Sequence, residues 1–367
     1  MKSKKIKLII FHPYSKIGGA DRSLSRLINQ LDSSKYEVIF ITIGEPKIKN
    51  YLIKKIKIIK IKSSKTIFSI TKIRSILKSL KTNGKVIFFS NQNFANIISF
   101  FILFGFSNIK HIIMERNHID ELYYYRNFFD YFKKKIILIL IKIFYKHADL
   151  VLGNAKQLCI DLKKITRSKV KTIYNPAYDK EIYKLSKSKI KKINKKNIIL
   201  NIGRLEIQKN QITLLRAIKN IKNIYLIIIG YGEKKIELQN YIKQNKLSKK
   251  VIILDKITNP YPYFKIAKLF VSSSLYEGFP NVLTEAIMFN IPVISSNCNS
   301  GPSEILLQKK GINTFQKENH IELEKKINFF FKNKKIFQER NKFLKKNLKR
   351  FNVKKIILEY DKIFKKI

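Results

Sequence analysis

Residues 268–297 read "KLFVSSSLYEGFPNVLTEAIMFNIPVISSN". The first seven form a short apolar run that gives way to serine, and the last seven repeat the pattern. Between them a Gly-Phe-Pro-Asn turn leads into a helical pattern. Pro280 suits the first turn of a helix, where its missing N–H has no partner to lose, so a helix is expected to start there. Strand, turn, helix and strand make a βαβ unit, which joins parallel strands. Two carboxylates flank the turn with seven residues between them. Glu277 falls in the loop, and Glu285 a little over one turn inside the helix. They do not pair on one helix face, yet both can point into one crevice.

The same alternation runs along the whole chain. Strands are expected at 6–14, 36–44, 85–90, 109–115, 148–154 and 170–176. Leu24, Leu27, Ile28 and Leu31 recur at helical spacing after the loop "SKIGGAD". Residues 180–197, "KEIYKLSKSKIKKINKKN", are polar and basic and read as a link. The alternation then restarts at 198–204, 224–232, 251–256, 268–274 and 291–297. The chain therefore reads as two α/β domains in tandem, 1–180 and 181–350, followed by a helix at 351–367. That helix places Val353, Ile356, Ile357, Tyr360, Ile363, Phe364 and Ile367 on one packing face. No internal repeat is evident.

At 367 residues and 45% apolar content, the chain can bury two cores. Lys and Arg number 76 against 25 Asp and Glu, a formal net charge of +51. Such charge fits a polyanionic surface, and a Lys-, Ile- and Asn-rich composition is also what an AT-rich genome produces. Cys159 and Cys298 stand far apart in no metal-type spacing, which fits a reducing compartment. "MKSKKIKLIIF" lacks a cleavage pattern and reads as a first strand. No uncharged apolar run reaches the ~20 residues that span a bilayer.

In "IGRLEIQKNQ" (202–211), Arg204 and Lys209 lie five apart across a strand-to-helix turn. There they can converge on one anion, assisted by the helix N-terminus. Arg offers phosphate a bidentate fork and Lys a point charge. Carboxylates accept hydrogen bonds from vicinal hydroxyls, so Glu277 and Glu285 suit ribose and hexose. Gly278 lets backbone approach a ligand. "CNSGPSEIL" (298–306) offers loop N–H groups to phosphate. Gly18 and Gly19 follow the first strand without forming a G-x-G-x-x-G fingerprint.

Taken in order, the Gly-Gly loop, "GRLEIQKN" and "YEGFPNVLTEAIMFNIPVISSNCNSGPSEIL" resemble the retaining glycosyltransferases of family 4, which have the GT-B fold. The likeness is strongest over 198–306. It implies two Rossmann-like domains facing a cleft, an acceptor-binding one and a donor-binding one, with the terminal helix crossing back to the first. It implies that Arg204 and Lys209 hold the donor diphosphate and stabilise it as leaving group, and that Glu277 contacts the donor sugar. Glu285 matches the ribose-binding acid. Phe279, Pro280 and Asn281 match the turn along sugar and phosphates, and Gly18 and Gly19 the loop that approaches the diphosphate. Many members place a His near the donor sugar. His118 in "MERNHID" can fill that role, although "ERN" also resembles a subgroup with Arg and Asn in this loop. No protein nucleophile, cofactor or metal is implied. The co-substrate is a nucleotide-sugar, by family frequency a UDP-sugar. "SGPSEIL" suggests the subgroup that builds bacterial surface polysaccharides, lipopolysaccharide and other glycans on polyprenyl-diphosphate carriers.

Residues 123–147, "YYYRNFFDYFKKKIILILIKIFYKH", are aromatic, basic and apolar. They fit either an ordinary packed helix or a membrane interface, with lysines at headgroups. A peripheral place on the anionic inner face of the cytoplasmic membrane is the resulting expectation, without a nucleic-acid partner. Competing readings are a nucleotide-sugar epimerase of the same fold and a non-catalytic polyanion binder, which would leave the Glu-x7-Glu string unexplained. A glycoside hydrolase would not need Arg204 and Lys209. No Asp-x-Asp triplet occurs, which predicts activity in EDTA.

Overall fold

The computed structural model describes residues 4–15, 18–80, 84–255, 257–308 and 310–367. Lys16 and Ile17 of the Gly-Gly loop, and Lys256 at the end of one expected strand, lie outside the described residues. The chain divides into two units, Met1–Pro176 with Val353–Ile367, and Ala177–Asn352.

The first unit holds β1 (Ile6–Phe11), β2 (Tyr36–Ile43), β3 (Lys57–Ile61), β4 (Val86–Asn91), β5 (Ile109–Glu115), β6 (Leu150–Gly153) and β7 (Val170–Thr172). Their order across the sheet is β3-β2-β1-β4-β5-β6-β7. The second unit holds β8 (Ile198–Ile202), β9 (Tyr225–Ile229), β10 (Val251–Leu254), β11 (Leu269–Ser272), β12 (Val293–Ser296) and β13 (Thr314–Phe315). Their order is β10-β9-β8-β11-β12-β13. All strand pairings described are parallel.

Parallel strands are covered on both faces, so their sequences are apolar throughout. In β1, Leu8 and Ile10 enter one core cluster, while Ile9 and Phe11 enter the cluster on the other face. The first of these clusters also takes Ile356, Tyr360, Ile363 and Phe364 from the terminal helix Val353–Lys366. Tyr360 and Phe364 stand edge-on to Phe89, at 6.2 and 5.9 Å between ring centroids.

Several expected boundaries move. The strand expected at 224–232 ends at Ile229, because Gly230 and Gly232 turn the chain. The one expected at 170–176 keeps three residues. The β3 and β13 strands lie at sheet edges, and no strand was expected at either. The link at 180–197 opens with the helix Glu181–Leu185, whose Ile182 is fully buried. The helix after the Gly-Phe-Pro-Asn turn spans Asn281–Met288, with Pro280 as its N-cap.

Candidate active site

In each sheet the strand order reverses once, between β1 and β4 and between β8 and β11. Loops leaving the carboxyl ends of such neighbouring strands diverge and open a crevice. In the second unit those two loops carry Arg204 and Lys209 after β8, and Glu277 after β11.

The two loops are laced together. The Leu275 N–H donates to the Gln208 carbonyl at 2.8 Å, and Gln208 Nε2 donates to the Tyr276 carbonyl at 3.0 Å. Ser273 Oγ donates to the Lys209 carbonyl at 2.9 Å. Lys209 Nζ donates to Glu277 Oε1, which also accepts from Ser274 Oγ at 2.7 Å. Glu277 is 5% exposed. Its charge is thus balanced by a cation sixty-eight positions away in sequence, and the pair forms only because β8 and β11 are neighbours. Arg204 turns elsewhere. Its Nη1 donates to Glu206 at 3.0 Å and its Nη2 reaches Gln208 Oε1 at 3.4 Å. The two cations sit on one loop, each held by its own carboxylate.

Two further loops support this floor. A Cβ on Gly230 would lie 1.8 Å from the Gly203 carbonyl oxygen, so only glycine fits where the β9 loop crosses the β8 loop. Gly301, after β12, has φ +84°, and a Cβ there would come within 2.1 Å of the Gly278 carbonyl oxygen. Ser300 Oγ donates to that same oxygen at 3.3 Å. Cys298 is buried with its Sγ donating to the Ser274 carbonyl at 2.9 Å. Burial, and then the Glu277 charge, push its thiol up to about 12, which makes it an inert part of the wall.

Glu285 lies inside the helix Asn281–Met288 and is 1% exposed. Tyr261 donates its hydroxyl to Glu285 Oε1 at 3.0 Å. Phe279 is buried edge-on to Phe351, at 4.8 Å between centroids, and Asn281 opens the helix, its carbonyl accepting from Thr284 Oγ1 at 2.6 Å.

In the first unit, Gly18 caps the helix Gly19–Gln30 at the carboxyl end of β1. Arg116, just after β5, is buried among neutral acceptors. Its Nε and Nη2 donate to Asn91 Oδ1 at 3.0 and 2.8 Å, and its Nη1 to Asn175 Oδ1 at 3.1 Å. Nη1 also reaches Ser23 Oγ in the glycine-capped helix at 3.3 Å. His118 is buried between two acids. Its Nε2 meets Asp161 Oδ2 at 2.9 Å, and its Nδ1 lies 3.1 Å from Asp120 Oδ1. Burial alone would lower its pKa, but the two carboxylates outweigh it and hold the ring above the ordinary histidine value. A ligand reaches His118 only if one of these contacts opens.

Family models match both units: "Glycosyltransferase Family 4" covers residues 17–178, and "Glycosyl transferases group 1" covers residues 183–350. A Campylobacter jejuni enzyme named N-acetylgalactosamine-N,N'-diacetylbacillosaminyl-diphospho-undecaprenol 4-alpha-N-acetylgalactosaminyltransferase is 30% identical over 304 residues, 78% of this chain and 80% of that one. The chain belongs to the family 4 glycosyltransferases.

An uncharacterised glycosyltransferase of Methanocaldococcus jannaschii is 34% identical over 218 residues, 56% of this chain. That match spans about half of the relative's length, 52%. Anabaena HepE, solved with UDP and glucose, superposes with a TM-score of 0.79 at 16% identity, over 98% of this chain and 100% of that one. That likeness is one of fold, and the fold is GT-B. Within this glycosyltransferase, Lys209 and Glu277 come together as a contact between two loops, and Arg204 shares the loop of Lys209. Tyr261 and Ser274 touch the two acids directly, yet neither stands out in the sequence. Tyr261 is 24 positions from its partner and sits in an ordinary aromatic run, "YPYF".

Proposed function

We propose that this glycosyltransferase moves a hexose or N-acetylhexosamine from a UDP-sugar to a glycan or polyprenyl-diphosphate-linked acceptor with retention of configuration. The setting is bacterial polysaccharide, lipopolysaccharide or related glycan assembly, on the inner face of the cytoplasmic membrane. The observation that carries the reading is the Lys209–Glu277 pair at the point where the strand order of the second sheet reverses. A buried ion pair of this kind is ready for exchange. A diphosphate offers Lys209 a stronger anionic partner, and sugar hydroxyls offer Glu277 donors in return. The printed name of the Campylobacter relative, which includes a diphospho-undecaprenol-linked sugar, and the UDP and glucose bound to HepE support the same classes of acceptor and donor.

In the proposed step the bond from the anomeric carbon to the phosphate oxygen breaks, and the bond to the acceptor oxygen forms on the same face. The acceptor's proton passes to the leaving phosphate. Arg204, released from Glu206, and Lys209 take up the charge that develops on the diphosphate. Glu285 holds the ribose hydroxyls.

The test is release of nucleoside diphosphate from a panel of UDP- and GDP-sugars in EDTA, with and without bacterial lipid extract, beside Glu285→Ala. The expected result is release from one donor, increased by lipid and lost in the variant. Conversion of a UDP-sugar to an isomer without release would establish the epimerase instead. No turnover and no binding would remove the reading altogether.

A further inference from the structure

The helix Phe128–Phe144 carries two apolar stripes on opposite sides. Ile137 and Ile141 are buried and join a core cluster with Ile113, Val151 and Leu158. On the other side, Phe128 is 70% exposed, Phe129 84%, Phe132 49%, Ile136 55%, Ile139 55% and Ile143 47%. At ~100° per residue these six fall within one arc of about 100°, centred roughly opposite the buried pair. Lys133 borders the arc on one side, and Lys135 and Lys142 on the other; all three are exposed. Among the described residues no helix is long and apolar enough to cross a membrane.

A soluble helix needs one apolar face, and the core already covers it. A second face of three phenylalanines and three isoleucines, edged by lysines, is the pattern of a helix lying in the plane of a bilayer interface. The net charge of +51 decides between possible occupants. Two copies of this chain would bring lysine borders and large like charges together, whereas an anionic bilayer attracts both.

We infer that the outer face of the helix Phe128–Phe144 inserts into the headgroup–acyl boundary of an anionic membrane, with Lys133, Lys135 and Lys142 on its lipid phosphates. The inference deepens the lipid-linked acceptor reading, because a polyprenyl carrier presents its diphosphate at that depth.

The chain contains no tryptophan, so Phe132→Trp places a single reporter on the proposed face. The full chain is mixed with vesicles of phosphatidylglycerol and phosphatidylcholine, or of phosphatidylcholine alone. With the anionic vesicles, the reporter's emission moves to shorter wavelength and is quenched by lipids brominated along the acyl chain. Salt weakens the binding. The triple variant Phe128→Ser, Phe132→Ser, Ile139→Ser binds at least about tenfold more weakly, by cosedimentation, with an unchanged melting midpoint. Binding that leaves the reporter in water would overturn the inference in favour of charge-only attraction. Concentration-dependent dimers abolished by the triple variant would overturn it in favour of self-association, and so would no binding at all. These measurements need neither donor nor acceptor. Failure of the donor assay therefore leaves the surface standing, and failure here leaves donor turnover standing.

Discussion

Lys209 and Glu277 are each other's counter-ion where water barely reaches, their side chains 18% and 6% exposed. Removing one partner strands the other's charge, which for buried pairs costs about 3–5 kcal/mol. The lower end applies here, since Lys209 keeps some contact with solvent. Lys209→Met and Glu277→Gln are each expected to lower unfolding stability by ~2–3 kcal/mol in urea melts, and the double variant by clearly less than the sum. All three lose transfer. Strict additivity of the two singles would show that the pair is not coupled. A second residue-scale prediction concerns Glu115, at the end of β5. Burial pushes its carboxyl up to about 7, although Tyr145 and Asn96 donate to it and pull the other way. Its protonated form is favoured by folding. Its contribution is therefore complete below the ordinary value of 4.5 and is lost as pH rises to about 7, a change of roughly 3 kcal/mol. Glu115→Gln keeps a neutral hydrogen-bonding group and flattens that part of the melting-temperature profile. His118 contributes a slope of the same sign only above its ordinary value of 6.5, so the profile levels below that pH and still falls beyond it. An unaltered profile in Glu115→Gln would refute the assignment. Glu277 and Glu285 were legible from their spacing around a turn. Tyr261 and Ser274 were not, because a hydroxyl that orients a carboxylate needs no fixed sequence distance from it.

Among the elements, the helix Val353–Lys366 is the clearest case of a pattern whose partner lay elsewhere. Its seven-residue apolar face was legible from periodicity, and five of those side chains are buried. Ile356, Tyr360, Ile363 and Phe364 pack on Leu8, Ile10, Phe40 and Phe89, more than 260 positions upstream. Tyr36 also donates its hydroxyl to Asp361 Oδ1 at 2.7 Å. Burying four large side chains contributes ~1.5–3 kcal/mol each, comparable with the whole ~5–15 kcal/mol stability of a domain. A chain ended at Asn352 should lose the cooperative melting of the unit containing β1 to β7 while residues 177–352 melt as before. Calorimetry with limited proteolysis separates the two. Persistence of both transitions would mean that the helix is dispensable. The helix Phe128–Phe144 shows the converse. Its periodicity offers two apolar stripes, and only packing against the neighbouring helices decides which is inside. The short edge strands β3 and β13 escaped notice because edges need few apolar residues. "KIIKI" interrupts three isoleucines with two lysines and "TF" is two residues long.

Across the whole molecule the chain starts in one unit, crosses to the second at Ala177 and returns at Val353. The expected boundaries at 180 and 350 fall in polar sequence a few residues from these crossings. Ile182 and Tyr183 pack on the second unit, where Tyr183 donates to the Met288 carbonyl at 2.9 Å. The charge of +51 is a property of the sum and of no single site, so its reading depends on where exposed apolar surface accompanies it. By itself the sequence determined the alternation of strands and helices, the two parallel sheets and the loops that hold Arg204, Lys209 and Glu277. These follow from hydrophobic period and turn chemistry, which act over a few residues. Only the tertiary structure decided that Lys209 neutralises Glu277, that Arg204 leans on Glu206, that His118 is held by two acids and that one apolar face of the helix Phe128–Phe144 stays bare. Those outcomes depend on which strands become neighbours and on which surfaces are left after the core is filled, and no local pattern encodes either.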